Sequence, residues 1–534
     1  MLASQLLELL PQQWQLLLVI LPLVSLLFLL HRSRNRSGSI RLPPGPWQLP
    51  ILSNLHQIGP LAHRSLLALS KRHGPMMMLR LGMVRTVVLS SPEAAREALK
   101  THNVDCSGRS PSAGPRLLSY GYKDVIFSPY GDYVQEMRKL FILELLSKRR
   151  VQAACYARDA QVEKLVNNLT SIGTKPVPVP DYISATLDGI FGSFVFGGNR
   201  AAEKFKGQLV PVMNEAVDML SSFSAEDFFA NATGRLFDHV TGIKARRHRI
   251  FKKLDGFFEQ VIEHYVNEDP TRKKLDDNCG SALLEELIDL WKRHNKITKD
   301  HVKAILMDTF VAGNDTSAIT VNWAMAELIR HPRVLKKVQE EIRTAVGKKE
   351  RVQNEDMSKL CYLRMVVKET LRLRIPAALL VPRETLRKIQ IAGYDIPAKT
   401  RVIVNAWAIA RDPNVWKDPE EFYPERFEVT DIDFNGAHFE LLPFGSGRRI
   451  CPGMDMGVAN VEFILANMLY CFNWELPPGM NIEDLSMEEE GALTIRKKTT
   501  LMLVPSADKL HCISVIKPNG WKYDRSLLHV LLDV

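Results

Sequence analysis

The apolar positions of this chain change period several times, and each change marks an element. Trp14–Leu30 is almost unbroken apolar sequence. As a helix its roughly 17 residues at about 1.5 Å each would span about 26 Å, enough for a thin bilayer. Met76–Ser91 alternates on either side of Gly82 and predicts a hairpin of two short strands. Ser91-Pro-Glu follows with a capping hydroxyl, a proline at the first helical position and an early acid, so a helix should run to about Thr101. Tyr130–Lys139 opens another helix, and Val151–Trp291 reads as a series of amphipathic helical segments. Thr298–Arg330 is the longest helical candidate, capped by Thr298 and stopped by His331-Pro332. Within it Gly313 weakens the ladder and Thr316 can bond back to a carbonyl, which predicts a local bulge. Met365–Leu373 is helical, Ile375–Glu384 is a proline-bracketed apolar run expected to be a strand, and Met454–Phe472 is an apolar helix.

Composition narrows the class. The chain has 534 residues, nearly half of them apolar, and a formal charge of +10. That describes a globular chain with a large core. Basic residues cluster at Lys148–Arg150 and Lys244–Lys253, which suits a solvated helix face, an anionic membrane surface or an acidic protein partner. No basic stripe interleaved with aromatics and no zinc-finger spacing occurs, so nucleic-acid binding is not expected. The seven cysteines are scattered and odd in number, without a Cys-x-x-Cys pair. This speaks against a disulfide framework or a zinc site and fits a reducing compartment. Met1–Gln13 carries no Lys or Arg, whereas Arg32, Arg34 and Arg36 follow the apolar run. An uncleaved anchor with the body on the cytosolic side is therefore expected.

One loop concentrates chemistry. Leu441–Gly453 reads Leu-Leu-Pro-Phe-Gly-Ser-Gly-Arg-Arg-Ile-Cys-Pro-Gly, just before the Met454 helix. Gly445 and Gly447 permit positive φ and close backbone approach. Cys451 would face the N-terminal end of that helix, with Arg448 and Arg449 beside it, a setting that favours the thiolate.

Phe444, Gly447, Arg449, Cys451 and Gly453 stand at the spacing Phe-x-x-Gly-x-Arg-x-Cys-x-Gly. This segment resembles the haem-binding loop of cytochromes P450. Three more stretches agree in order: Ala312-Gly-Asn-Asp-Thr316, Lys368-Glu-Thr-Leu-Arg372 and Phe422-Tyr-Pro-Glu-Arg-Phe427. The resemblance covers about residues 42–505 and is to the plant microsomal members. It implies a mainly α fold with small β-sheets, preceded by one transmembrane helix. Residues 1–31 would be the anchor, 32–50 a basic and proline-rich hinge, 51–506 the haem domain, and 507–534 a tail without an assigned role.

The resemblance also implies site residues. Cys451 would be the axial thiolate of haem b, a soft, electron-donating ligand that favours O–O cleavage. Phe444 would pack on the sulfur, while Arg138, Arg383 and Arg449 would reach the propionates. Gly447 and Gly453 would shape the loop. Ala312 and Gly313 would line an oxygen groove, and Asp315 with Thr316 would relay protons. Glu369, Arg372 and Arg426 would form a buried charge network. Ala377, Ala378, Leu379, Leu380 and Ala492 would face the substrate. Val134 occupies a position where the family usually has Trp, so one donor to a propionate is missing.

Function follows from the same resemblance. The chain carries no flavin or nicotinamide module, so electrons from NADPH would arrive through the partner NADPH–cytochrome P450 reductase, with O2 as co-substrate. The expected location is the endoplasmic reticulum membrane, single-pass, with the catalytic body facing the cytosol and membrane lipid beside it. The substrate would be a small hydrophobic plant metabolite. Stretches such as Ser222–Phe229, His438–Leu441 and Ser486–Thr494 resemble members that convert an aldoxime through a nitrile to a hydroxynitrile. The alternatives are a hydroxylase of a terpenoid or another aromatic metabolite, a reductase-independent haem isomerase or dehydratase, and a non-catalytic haem protein.

Overall fold

The computed structural model describes residues 40–147, 151–152, 154–197, 205, 211–213, 215–220, 222–267, 282–294, 296–491 and 493–508. The expected anchor, residues 32–39 of the hinge, Lys148–Arg150, Ala492 and the tail beyond residue 508 lie outside these residues. Among the described residues, no helix is long and apolar enough to cross a membrane.

Among the described residues helices dominate, with four small sheets. Two of the helices, α1 (Val179–Phe196) and α2 (Lys299–Arg330), cross at the centre. Thr298 starts α2 with its hydroxyl 2.7 Å from His301 Nδ1, and the last turn closes on the His331 amide before Pro332. Apart from Val311–Thr316, α2 is buried on all sides over most of its length, as expected for a helix whose apolar residues follow no single stripe. Phe310 meets Phe196 of α1 with ring centroids 5.6 Å apart. The expected bulge is absent: α2 stays regular through Phe310–Ser317. Thr316 and Ser317 donate to the Ala312 and Gly313 carbonyls at 2.7 and 2.8 Å, sharing those acceptors with the ladder instead of displacing it.

The largest sheet has the order β1 (Met76–Leu81), β2 (Val84–Leu89), β4 (Arg401–Val404), β3 (Arg383–Glu384). β1 and β2 form the expected hairpin, with Gly82 at φ +60°. β2 and β4 are parallel, bringing chain segments more than three hundred residues apart into register. Ser91 Oγ accepts from Ala94 N at 3.3 Å, and the helix it caps ends in a wider π turn at Glu97–Thr101. Ile375–Glu384 departs from expectation. Only Arg383–Glu384 pairs, and the segment before it is a run of turns with Leu380 at φ +54°. Pro376 and Pro382 have no N–H for a ladder, which confines them to its margins.

Helix α3 (Cys361–Leu373) packs against α2 and against α4 (Met454–Cys471). It carries the charge network. Glu369 and Arg372 are fully buried and Arg426 nearly so. Glu369 accepts from Arg372 Nε and Nη2 at 2.8 and 2.9 Å, from Arg426 Nε at 3.0 Å and from Tyr423 N at 2.9 Å. Arg372 Nη1 also donates to the Ala410 and Pro419 carbonyls at 2.7 Å. The i,i+3 pair is therefore a clamp joining α3 to the segment before the Cys451 loop.

Removing the carboxylate would strand two buried guanidiniums. Glu369→Ala should cost about 3–5 kcal/mol of unfolding free energy, measured by chemical denaturation. A loss under about 1 kcal/mol, the scale of an exposed pair, would contradict the clamp.

Candidate active site

The Cys451 loop is held by its backbone. Gly445 and Gly447 have φ of +70° and +69°. Cys451 N donates to Phe444 O at 2.9 Å, and Ile450 N to Gly447 O at 3.0 Å. Gly447 has a steric duty: a Cβ there would sit 2.5 Å from Leu99 O and 2.6 Å from Asn103 Oδ1. Asn103 Oδ1 also accepts from Arg448 N at 2.9 Å, tying the loop to the end of the π turn. Gly447 thus sets the approach of two backbones and does not line the cavity.

Cys451 lies in the wall of a cavity of about 260 Å³, together with Phe444 and Gly453. Burial pushes its thiol up, while the Gly453 N–H and the Arg138 charge pull it down. Desolvation outweighs both, and the arginine that acts on the sulfur is Arg138, not the Arg448 and Arg449 that the sequence placed beside it. A bound cation would reverse that balance, since a coordinating thiol is deprotonated outright. The opposite wall is one face of α2, from Asp308 through Ala312 and Gly313 to Thr316 and Thr320. Ala312 and Gly313 therefore stand where the sequence placed them. Phe191 of α1 fills the room beside Gly313, whose Cβ would come within 2.5 Å of that ring. Asn314 Nδ2 donates to Asp188 on α1, which further fixes this crossing.

Four guanidiniums converge on the same cavity: Arg109, Arg138, Arg383 and Arg449. Arg449 donates to the Ser107, Val125 and Ser128 carbonyls at 3.1, 3.2 and 2.5 Å. Arg383 Nη2 reaches Ser446 O at 2.6 Å, and Arg138 reaches Ile450 O. Burial depresses all four, repulsion from neighbouring arginines adds to it at Arg109, Arg383 and Arg449, and the Cys451 charge opposes it at Arg138. Arg383 and Arg449 fall to about 10 and Arg109 well below its usual value. Asp124 is the acid that offsets Arg109 and Arg449, and Arg383 Nη1 is buried without a partner. So much buried positive charge calls for an anion. An apolar cavity with a sulfur in its wall and guanidiniums at its edge fits a planar macrocycle carrying two carboxylates, such as haem. Arg109 escaped the sequence reading because it is a single arginine in a Gly-, Ser- and Pro-rich stretch without periodicity.

Other residues are placed differently from expectation. Thr316 faces the cavity, but Asp315 does not line it. Asp315 Oδ2 instead accepts from Thr494 Oγ1 at 2.8 Å, and burial pushes its carboxyl up. Ala377 and Leu380 line the cavity. Ala378 packs with Trp407 and Ile495, and Leu379 turns to the cluster around Leu66 and Met77, because a turn does not alternate as a strand would. Val134 is buried and borders a separate recess of about 320 Å³ with Tyr130, Arg138, Arg448 and Arg449.

Comparisons agree with this geometry. The profile of the family described as Cytochrome P450 matches residues 43–503. The chain is 56% identical to 4-hydroxyphenylacetaldehyde oxime monooxygenase of Sorghum bicolor, covering 93% of this chain and 96% of that protein. It is 45% identical to 2-methylbutanal oxime monooxygenase of Manihot esculenta, over 94% and 98% of the two chains. A zebra fish cytochrome P450 solved with abiraterone superposes with a TM-score of 0.69 at 22% identity, covering 84% of this chain and 100% of that one.

The recess at Val134 makes a separable prediction. Val134→Trp should fill it and return an indole donor to the arginine edge, slowing haem transfer to apomyoglobin several-fold. An unchanged transfer rate would mean that the recess does not weaken haem retention.

Proposed function

The chain belongs to the cytochrome P450 family, and on that premise we propose that it converts a small aldoxime, through its nitrile, to a hydroxynitrile. It is a haem–thiolate monooxygenase supplied with electrons by a reductase. The finer reading names that reductase as the NADPH-dependent, membrane-bound one and Cys451 as the thiolate. The observation that carries it is the convergence of Cys451 and four arginines, Arg383 and Arg449 buried and Arg109 and Arg138 half-buried, on one apolar cavity. The substrate class rests on the two oxime-acting relatives.

Bound haem supplies oxygen activation, with the thiolate pushing electron density toward O–O cleavage. The chain's own residues do the rest. Arg109, Arg138, Arg383 and Arg449 hold the two carboxylates and fix the macrocycle's rotation. Phe444 shields the sulfur from water, and the Gly453 N–H steadies its charge. Thr316, whose proton goes to the Ala312 carbonyl, presents its oxygen as an acceptor at the cavity wall. Asp315, whose carboxyl burial raises, would hold a proton to a higher pH than a free carboxyl, and its relay to Thr316 requires it to leave Thr494. The first half-reaction removes water from R–CH=N–OH to leave R–C≡N, with no net electron change. The second inserts one oxygen atom at the adjacent carbon, consuming O2, two electrons and two protons and releasing water.

Location is part of the same reading. Residues 1–31 anchor the chain in the endoplasmic reticulum membrane, with 51–506 as the cytosolic catalytic body. An exposed apolar face supports a second contact with lipid. Met83 N donates to Phe228 O at 2.8 Å, Phe228 stacks on exposed Phe223, and Ile51 and Leu52 lie across Gly82. Leu236, Phe237 and Val240 extend this face at 62, 54 and 76% exposure, an apolar area suited to the headgroup boundary.

Microsomes holding the chain and its reductase should convert an aldoxime panel to hydroxynitriles in air with NADPH, and accumulate nitriles when oxygen is withheld. Hydroxylation of non-oxime aromatics with no oxime turnover would overturn the substrate class. Full turnover without reductase would overturn the electron supply.

A further inference from the structure

The cavity contains one acid that the proposed reaction does not use. Asp308 lies on the face of α2 that carries Ala312 and Thr316, four and eight residues earlier, and borders the cavity. It is buried at 6% exposure, and Asp124, hydrogen-bonded to it, at 1%. Asp308 Oδ2 accepts from Val125 N at 2.7 Å, and its carboxyl also accepts from Ile126 N. Asp124 accepts from Phe127 N at 2.7 Å and Ser128 Oγ at 3.2 Å and feels the charges of Arg109 and Arg449.

Two carboxyls in hydrogen-bond contact cannot both ionise easily. Burial raises both, Asp124 to about 6 and Asp308 well above its usual range. The arginines favour charge on Asp124, so the shared proton belongs to Asp308. A carboxyl offers about four acceptor sites. Two backbone N–H groups and the shared proton leave one site of Asp308 for the cavity. Thr309, Thr316, Ser317 and Thr320 give their own protons to the helix carbonyls four residues before them, so this wall has no hydroxyl donor to spare and Asp308 is its carboxyl acceptor. The arginine donors belong to backbone carbonyls and to the anion they surround.

We propose that Asp308 is a specificity-determining residue that accepts a hydrogen bond from a hydroxyl group of the substrate, held in place for that purpose by Asp124. The inference rests on the reading of this cavity as the oxidation site and deepens it by naming a recognition group. Both an oxime hydroxyl and a phenol carry the required donor. A ligand without that donor leaves a buried acceptor unpaired, which sites of this kind penalise.

The test titrates full-length, membrane-reconstituted holoprotein by ligand-induced haem spectral shifts. The ligands are 4-hydroxyphenylacetaldehyde oxime, its oxime O-methyl ether and its phenol methyl ether. The free compound should bind about tenfold tighter than one of the two ethers, and that ether identifies which hydroxyl is read. Asp308→Leu should bring this ratio close to one, while Asp308→Asn, which keeps a carbonyl in place, should preserve most of it. Equal wild-type affinities would overturn the proposal without any variant. Equal weakening of all three ligands by Asp308→Leu would also overturn it, leaving Asp308 as a pin for the Val125–Ile126 turn. If the leucine variant does not fold, infrared difference spectra of the wild type decide. The carboxylic C=O band should shift to lower frequency with the free ligand and not with the discriminated ether; no shift would refute the assignment. Discrimination at the phenol with no oxime turnover would sink the oxime reading and leave Asp308 standing.

Discussion

Buried like charge is the constraint on which this structure depends. Arg109, Arg138, Arg383 and Arg449 are withdrawn from water and pressed together, with Asp124 offsetting two of them. In a low-dielectric interior such an assembly is costly until an anion enters. The cluster lies beside a cavity whose wall holds the Cys451 sulfur. A cofactor carrying two carboxylates and a thiophilic metal would relieve both difficulties together: its carboxylates would neutralise the arginines, and its metal would favour the thiolate that burial disfavours.

The surrounding architecture keeps these groups in register. The Glu369 clamp joins α3 to the Tyr423–Arg426 turn, upstream of the sulfur-bearing loop. Gly447 permits that loop to approach the π turn ending at Thr101, which follows directly from the Ser91 cap and the β1–β2 hairpin. On the other side, α2 presents a wall whose hydroxyls are committed to its own carbonyls. The cavity is thus strongly cationic at one edge, nearly apolar across its middle, and bordered by one buried acid at Asp308. Orientation of a small substrate follows from that asymmetry.

Local signals were legible wherever one residue determined one bond. Thr298 and His331-Pro332 bounded α2, Gly82 turned the hairpin, and Ser91 capped its helix, because caps and turns depend on neighbours within a few positions. The Cys451 loop was legible as a set of spacings. The proline-bracketed run at 375–384 misled, since apolar composition predicts a strand while two prolines and a positive φ at Leu380 produce turns. That error moved Ala378 and Leu379 out of the cavity wall. Arg109, the direction of Asp315 and the contact of Asp124 with Asp308 depend on partners tens to hundreds of residues away. No periodicity encodes such pairings. Glu369 and Arg372 were visible as an i,i+3 pair, but their burial came from packing against a distant turn.

The central claim is that one sulfur, that of Cys451, holds the iron inside the arginine cradle. The carbonyl difference spectrum of reduced holoprotein tests it most directly, comparing wild type with Cys451→Ala. The account predicts a thiolate-type band in the wild type and its complete loss in the variant. A histidine-type band in the wild type, or a thiolate-type band surviving in Cys451→Ala, would contradict it.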